Sequence, residues 1–186
     1  MTSILLTGPA IEPISLEETK RFLRVEHDDE DQLITALIAG ARSHIEAQTQ
    51  SALITQDWRI LLDAWPQLGR ITVRPGPLRA LNAARVFDCN GAPHTIDSQA
   101  IAPDFGASTL AFVPWAVPMP GRIAAGIEID VTVGFGGEAD DVPESLRQAI
   151  RMVVAHWYEN RGFMGEAQNA SHPVAALIAP FRMFSI

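Results

Sequence analysis

The chain has 186 residues, 47% hydrophobic and 19% charged, with a formal net charge of −8 at pH 7. That length and apolar content support one real core with at most a small satellite layer, and argue against disorder. The acidic balance argues against a protein that grips nucleic acid through its phosphates, which needs a basic face, though not against a surface past which DNA slides.

Cys89 is the sole cysteine, so no internal disulfide can form, which fits a reducing compartment. The opening MTSILLTGPA has no basic region, and its apolar run is only Ile4 to Leu6, so it does not read as a signal peptide. No stretch reaches roughly 18 unbroken apolar residues, so no membrane span and no membrane partner is expected. The expectation is a soluble product made in the cytoplasm.

Ser15 with Glu18 three residues on is a capping-box pattern and predicts a helix over 16–24, with Leu16, Thr19, Phe22 and Leu23 as its buried stripe. Five acidic residues follow within six positions: Glu26, Asp28, Asp29, Glu30 and Asp31. A second helix should start near 28–30 and run to about 49, because Leu33, Ile34, Leu37, Ile38, Ala41 and Ile45 recur at helical spacing. Carboxylates at a helix start face unpaired N–H groups and the positive end of the dipole, and Asp28 or Asp29 can cap it. A calcium loop would need a glycine turn and ligands at alternate positions, which this run lacks.

From Ala52 the pattern changes to alternation and turns. Strands are predicted over 52–66, 71–73, 81–88, 94–97, 101–105, 110–113 and 126–135, with a hairpin turn at Asn90-Gly91 and another around Gly106. Helix returns with Pro143 in its first turn, with Leu146, Ala149, Ile150, Val153, Val154 and Trp157 on one stripe and Gly162 as its stop. A loop over 162–173, a short helix over 174–178 and an apolar, cationic ending FRMFSI complete the chain. The fold class expected is α+β: a helical bundle, made of an N-terminal helix pair and a long C-terminal helix, with an inserted small antiparallel β-subdomain. The expected domain bounds are 1–51, 52–137 and 138–180, with a tail at 181–186.

No constellation of catalytic residues stands out, and neither a cofactor nor a metal is expected. GFGGEADD, residues 134–141, is glycine-rich between strand and helix but lacks the Lys-Ser/Thr of a phosphate loop, and its aspartates would repel an anion. His27, His44, His94, His156 and His172 show no ligand spacing. Asp63, Asp88, Asp97 and Asp104 are strand-end aspartates with nothing to pair them for glycosidase-like work. Trp65 and Trp115 lie in proline-flanked loops and suit either exposed stacking platforms or packing of the β region. The closing Phe181, Met183, Phe184 and Ile186 are costly to leave in water, so the tail should bury on its own fold or on a neighbour.

SLEETKRFLRVEHDDEDQLITALIAGARSHIE, the TQDW strand start at 55–58, WYENR at 157–161 and LIAPFR at 177–182 together resemble the head–tail connector, or adaptor, family of tailed bacteriophages, prophages and gene transfer agents. The resemblance implies a non-enzymatic ring component of the virion, usually of twelve subunits, that sits under the portal protein and receives a tail-side connector or stopper. DNA would pass through it without specific binding. It implies that the C-terminal segment contacts the portal: Leu177, Ile178, Phe181, Arg182, Met183 and Phe184. Phe181 stands where the family more often has a tyrosine, and four residues follow Arg182. Asp28, Asp29, Glu30 and Asp31 gain a second role, as charge on the ring lumen or between subunits, compatible with a helix start. The other functional reading is a virion-associated carbohydrate- or peptide-binding module that uses the β region.

Overall fold

A computed structural model describes residues 1–160 and 172–182. The chain forms two compact units, one of Met1–Pro9 with Thr55–Phe135 and one of Ala10–Ile54 with Gly136 onward. The fold class is α+β, as the change of periodicity at Ala52 indicates.

The helical unit contains α1 (Leu16–Leu23), α2 (Asp31–Thr49), α3 (Glu144–Glu159) and α4 (His172–Ile178), the last followed by a 3₁₀ turn at Ala179–Phe181. Helix α1 starts where the capping box puts it: Ser15 Oγ accepts from the Glu18 N–H at 3.1 Å. It ends at Arg24, which takes a left-handed conformation with φ 59°. Ile34, Ile38, Ala41 and Ile45 of α2 and Leu146, Ala149, Ile150 and Val154 of α3 are buried at helical spacing, and the two helices pack together. Gly40 marks their close approach. A Cβ there would lie 3.3 Å from the Trp157 ring, and His44 meets that ring edge-on at 5.7 Å.

Three details differ from expectation. Leu33 is 38% exposed, at the edge of the α2 stripe that Ile34 and Ile38 bury. Phe22 is 43% exposed rather than buried, since Thr19 is the one fully buried side chain of so short a helix. Pro143 is the N-cap of α3 rather than a residue of its first turn.

The β unit contains β1 (Thr2–Thr7), β2 (Gln56–Leu62), β3 (Arg70–Thr72), β4 (Leu78–Phe87), β5 (Pro93–Thr95), β6 (Ile101–Asp104), β7 (Thr109–Phe112) and β8 (Ile127–Val133). They form an antiparallel five-stranded sheet in the order β1-β2-β8-β4-β5 and an antiparallel three-stranded sheet in the order β3-β7-β6. Ile127, Ile129, Val131 and Val133 put one face of the central strand β8 into the core, as period-2 alternation requires. The tips are set by local chemistry. Asp88 Oδ1 accepts from the N–H groups of Asn90 and Ala92, and Gly91 takes φ 82°.

Strand β1 is a finding that the apolar run Ile4–Leu6 did not announce. Residues 1–9 lie with the sheet rather than with the N-terminal helices, and residues 52–54 lie with the helices, so β2 starts only at Gln56. The expected stop at Gly162 and most of the loop after it lie outside the described residues.

Candidate interaction surfaces

The acidic run is largely tied into the helical unit. Lys20 of α1 donates to Asp28 Oδ1 at 2.5 Å and to Asp31 Oδ1 at 2.7 Å, fastening the α1–α2 turn. These bonds lower the Asp28 carboxyl and raise the Lys20 ammonium from their ordinary values. The Tyr158 hydroxyl of α3 donates to Glu30 Oε2. Helix α2 starts at Asp31 with Glu30 as N-cap and makes no side-chain cap bond, so neither Asp28 nor Asp29 caps it. The side chain of Asp29 is 94% exposed, with His27 Nδ1 at 3.9 Å.

A denser ion network joins α1 to α3. Arg151, buried, donates to Glu18 and to Glu144, the latter at 2.6 Å. Arg147 reaches Glu18 at 3.4 Å and Asp140 at 2.9 Å. Burial pushes the Glu18 carboxyl up, but the hydrogen bond from Arg151 and the charges of both arginines outweigh it, and the net shift is down. Glu46 accepts from Arg42 within α2 at 2.6 Å and, across the loop after it, from the Leu53 N–H at 2.9 Å.

On the polar face of the β unit, Arg59 holds Asp130 with two bonds, at 2.6 and 3.0 Å, and Arg85 adds a third at 2.9 Å. The Arg59 hydrogen bond is the first cause of a lowered Asp130 carboxyl, with Arg85 reinforcing it against burial. Asp57, Thr132 and Asn82 continue the ladder, Asn82 donating to the Thr132 hydroxyl and the hydroxyl to Asp57. These ion pairs sit on cross-strand neighbours, where opposite charges stabilise a sheet.

Three of the strand-end aspartates hold local turns, and Asp63 ties a distant loop. Asp63 accepts from the Ala125 N–H, Asp88 from Asn90 and Ala92, Asp97 from Gln99 and Asp104 from Ala107. In the glycine-rich connector, Glu138 and Asp141 cap a 3₁₀ turn at Ala139–Asp141. Among the described residues, no three His, Cys, Asp or Glu side chains converge to hold a metal ion. No helix among them is long and apolar enough to cross a membrane.

The two loop tryptophans have opposite fates. Trp65 is buried, donates to the Pro118 carbonyl at 2.8 Å and tilts against Phe112 at 4.7 Å, so it packs the core and is no platform. Trp115 is 89% exposed, as are Leu68 at 91% and Ile123 at 97%. These residues and Met119, also exposed, lie in the segments before β3 and before β8. Gly69 ties the two together. It has φ 65° and a missing Cβ that would fall 2.3 Å from the Phe112 carbonyl oxygen.

Of the C-terminal residues expected to contact the portal, Ile178 is 0% exposed and therefore anchors the segment rather than offering itself to a partner. Leu177 and Phe181 are half-buried and Arg182 is exposed, donating to Gln48 of α2 at 3.3 Å. Met183 and Phe184 lie outside the described residues.

The family model described as "Phage gp6-like head-tail connector protein" matches residues 13–75. No curated protein matches the chain. Three solved structures are similar at 26% identity over 100% of this chain and 97% of theirs: the neck of an empty GTA particle computed with C6 symmetry (TM-score 0.85), the virion of a native gene transfer agent (GTA) particle (0.84) and the neck of a native GTA particle computed with C12 symmetry (0.75). The fold and surfaces define a two-unit α+β protein built on structural ion pairs. More particularly, the chain resembles the head–tail connectors of phages and gene transfer agents.

Proposed function

We propose that the chain is a structural head–tail adaptor, a virion protein of the head–tail junction that forms a ring, links capsid to tail and lines the DNA exit channel. The full-length similarity to a GTA neck component, at TM-score 0.85, carries this reading. The reading of a carbohydrate- or peptide-binding module has no such support, and one of its two platforms, Trp65, is a core residue.

The finer assignments follow from the chemistry of the surfaces. The portal is the head-side partner, met by Phe181, Arg182 and the residues after them, with Leu177 flanking and Ile178 as their fixed root. Arg and aromatic side chains dominate the energy of such contacts. The exposed Leu68, Trp115, Met119 and Ile123 are the surface for the tail-side connector, since apolar side chains this open mark an interface. Asp28 and Asp29 face solvent and supply lumen or inter-subunit charge, and a ring multiplying a net charge of −8 lets DNA pass without adhering. The protein works without catalysis or cofactor.

The test is deletion of the gene in its host followed by electron microscopy of the particles. The expected result is heads without tails, restored by the gene in trans. Normal tailed particles from the deletion strain would contradict the assignment.

A further inference from the structure

The five-stranded sheet of the β unit leaves two edges open, and they are complementary. At one side, β1 is outermost and pairs only with β2. Its sequence TSILLT has no charge and no proline, and Ile4, Leu5 and Leu6 are each 45–47% exposed. Solitary sheet edges are normally blunted by charge, proline or shortness, because unpaired N–H and C=O groups template another strand. The single irregularity of β1 is at Leu6, which has no register partner between Leu5 and Thr7.

At the other side, β5 covers only Arg85–Phe87 of β4. The Ile96 N–H extends that cover to the Ala84 carbonyl, and the Leu78 N–H is taken by Ser108 Oγ at 3.0 Å. Between Arg79 and Ala83, no strand among the described residues pairs with the outer side of β4, whose register against β8 shifts between Leu78 and Ala80 and again between Leu81 and Ala83. A groove of about 330 Å³ runs beside this stretch, lined by Leu81, Ala83, Ala84, Thr95, Ile96 and Ile101 among others. Its lining is mostly apolar, with Asn82 and Asp97 among its polar members, and its alanines let a backbone come close. The open stretch, Arg79–Ala83, spans five residues and β1 spans six.

We propose that in the assembled ring β1 of one copy pairs along the Arg79–Ala83 edge of β4 in the next copy, with its apolar side chains seated against the leucine and isoleucines of the groove beside it. This rests on the adaptor reading. A ring built of identical chains needs two different, mutually fitting patches on each copy, and two opposite edges of one sheet are such a pair. A single pairing this short is marginal alone, so copies join when a partner ring holds them side by side.

Disulfide trapping tests this. Cys89 is exposed and is first replaced, Cys89→Ser. Leu5→Cys and Leu81→Cys are then introduced singly and together, with Ile4, Leu6, Ala80 and Ala83 as alternative positions to scan the register. Each chain is assembled on its portal, oxidised and run without reductant. The expected result is a ladder of cross-linked copies for a doubly substituted chain, dimers for a mixture of the two single variants, and neither from one single variant alone. A ring of normal copy number that yields no ladder at any register overturns the inference and leaves the adaptor reading standing. Cross-links from β1 to the portal or to a tail-side protein overturn it as well. A wild-type chain that ignores the portal sinks both. In parallel, Leu6→Lys should melt like wild type yet join the portal in at least tenfold lower amount; a normal ring from this variant would also overturn the inference.

Discussion

Arg151 is the residue on which the α1–α3 junction turns. It is buried, and the charges that compensate it, Glu18 and Glu144, come from two helices. Breaking a buried pair from one side strands the other charge, which costs about 3–5 kcal/mol when burial is complete. Glu144 is well exposed, so Arg151→Met should cost less, roughly 2 kcal/mol, measured as a shift of the urea midpoint at unchanged slope. The acid response has a definite sign. Glu18 and Asp130 both hold carboxyls below their ordinary values in the folded chain. Their stabilisation is complete above the unfolded carboxylate range and is lost as pH falls through the folded values. Thermal melts at fixed salt should therefore hold between pH 7 and 5 and drop below about pH 4. A melting temperature that stays flat to pH 3 would contradict the ion networks.

Among the elements, α2 and α3 meet at Gly40, where even a methyl group would press on Trp157. Gly40→Val should destabilise by roughly 1–3 kcal/mol through overpacking, outweighing any gain in helix stiffness. Denaturant unfolding checks it. Trp115→Ser should do the reverse: change unfolding by less than about 0.5 kcal/mol, because the ring touches solvent, while weakening capture of the tail-side component in pull-downs. The helices were legible because their stripes are regular and their signals local, as at Ser15 and Glu18. Strand β1 was not, because a short uncharged run has no partner until the chain has folded β2 beside it. The direction of the acidic run was equally hidden. Carboxylates at a helix start look alike in sequence, and only the fold brings Lys20 to Asp28 and Asp31 and Tyr158 to Glu30. Trp65 and Trp115 sit in similar proline-flanked settings, and only packing against Phe112 separates the core residue from the surface one.

For the whole molecule, function was legible as a resemblance spread along the chain rather than as a site. The C-terminal tail shows how structure sharpens such a reading. Ile178 belongs to the helical core, so a truncation at residue 177 would damage the fold and confuse loss of stability with loss of contact. Ending the chain after Phe181 is the cleaner cut, and Arg182→Glu the cleaner substitution. Both should melt within about 1 kcal/mol of wild type, as exposed changes do, yet lose portal binding. The central claim, that the chain is a ring-forming adaptor, is tested most directly by light-scattering mass of the protein alone and mixed with its cognate portal ring. The account predicts a defined complex with about twelve copies per portal, the symmetry of one matching neck. A chain whose mass is unchanged by the portal would contradict it.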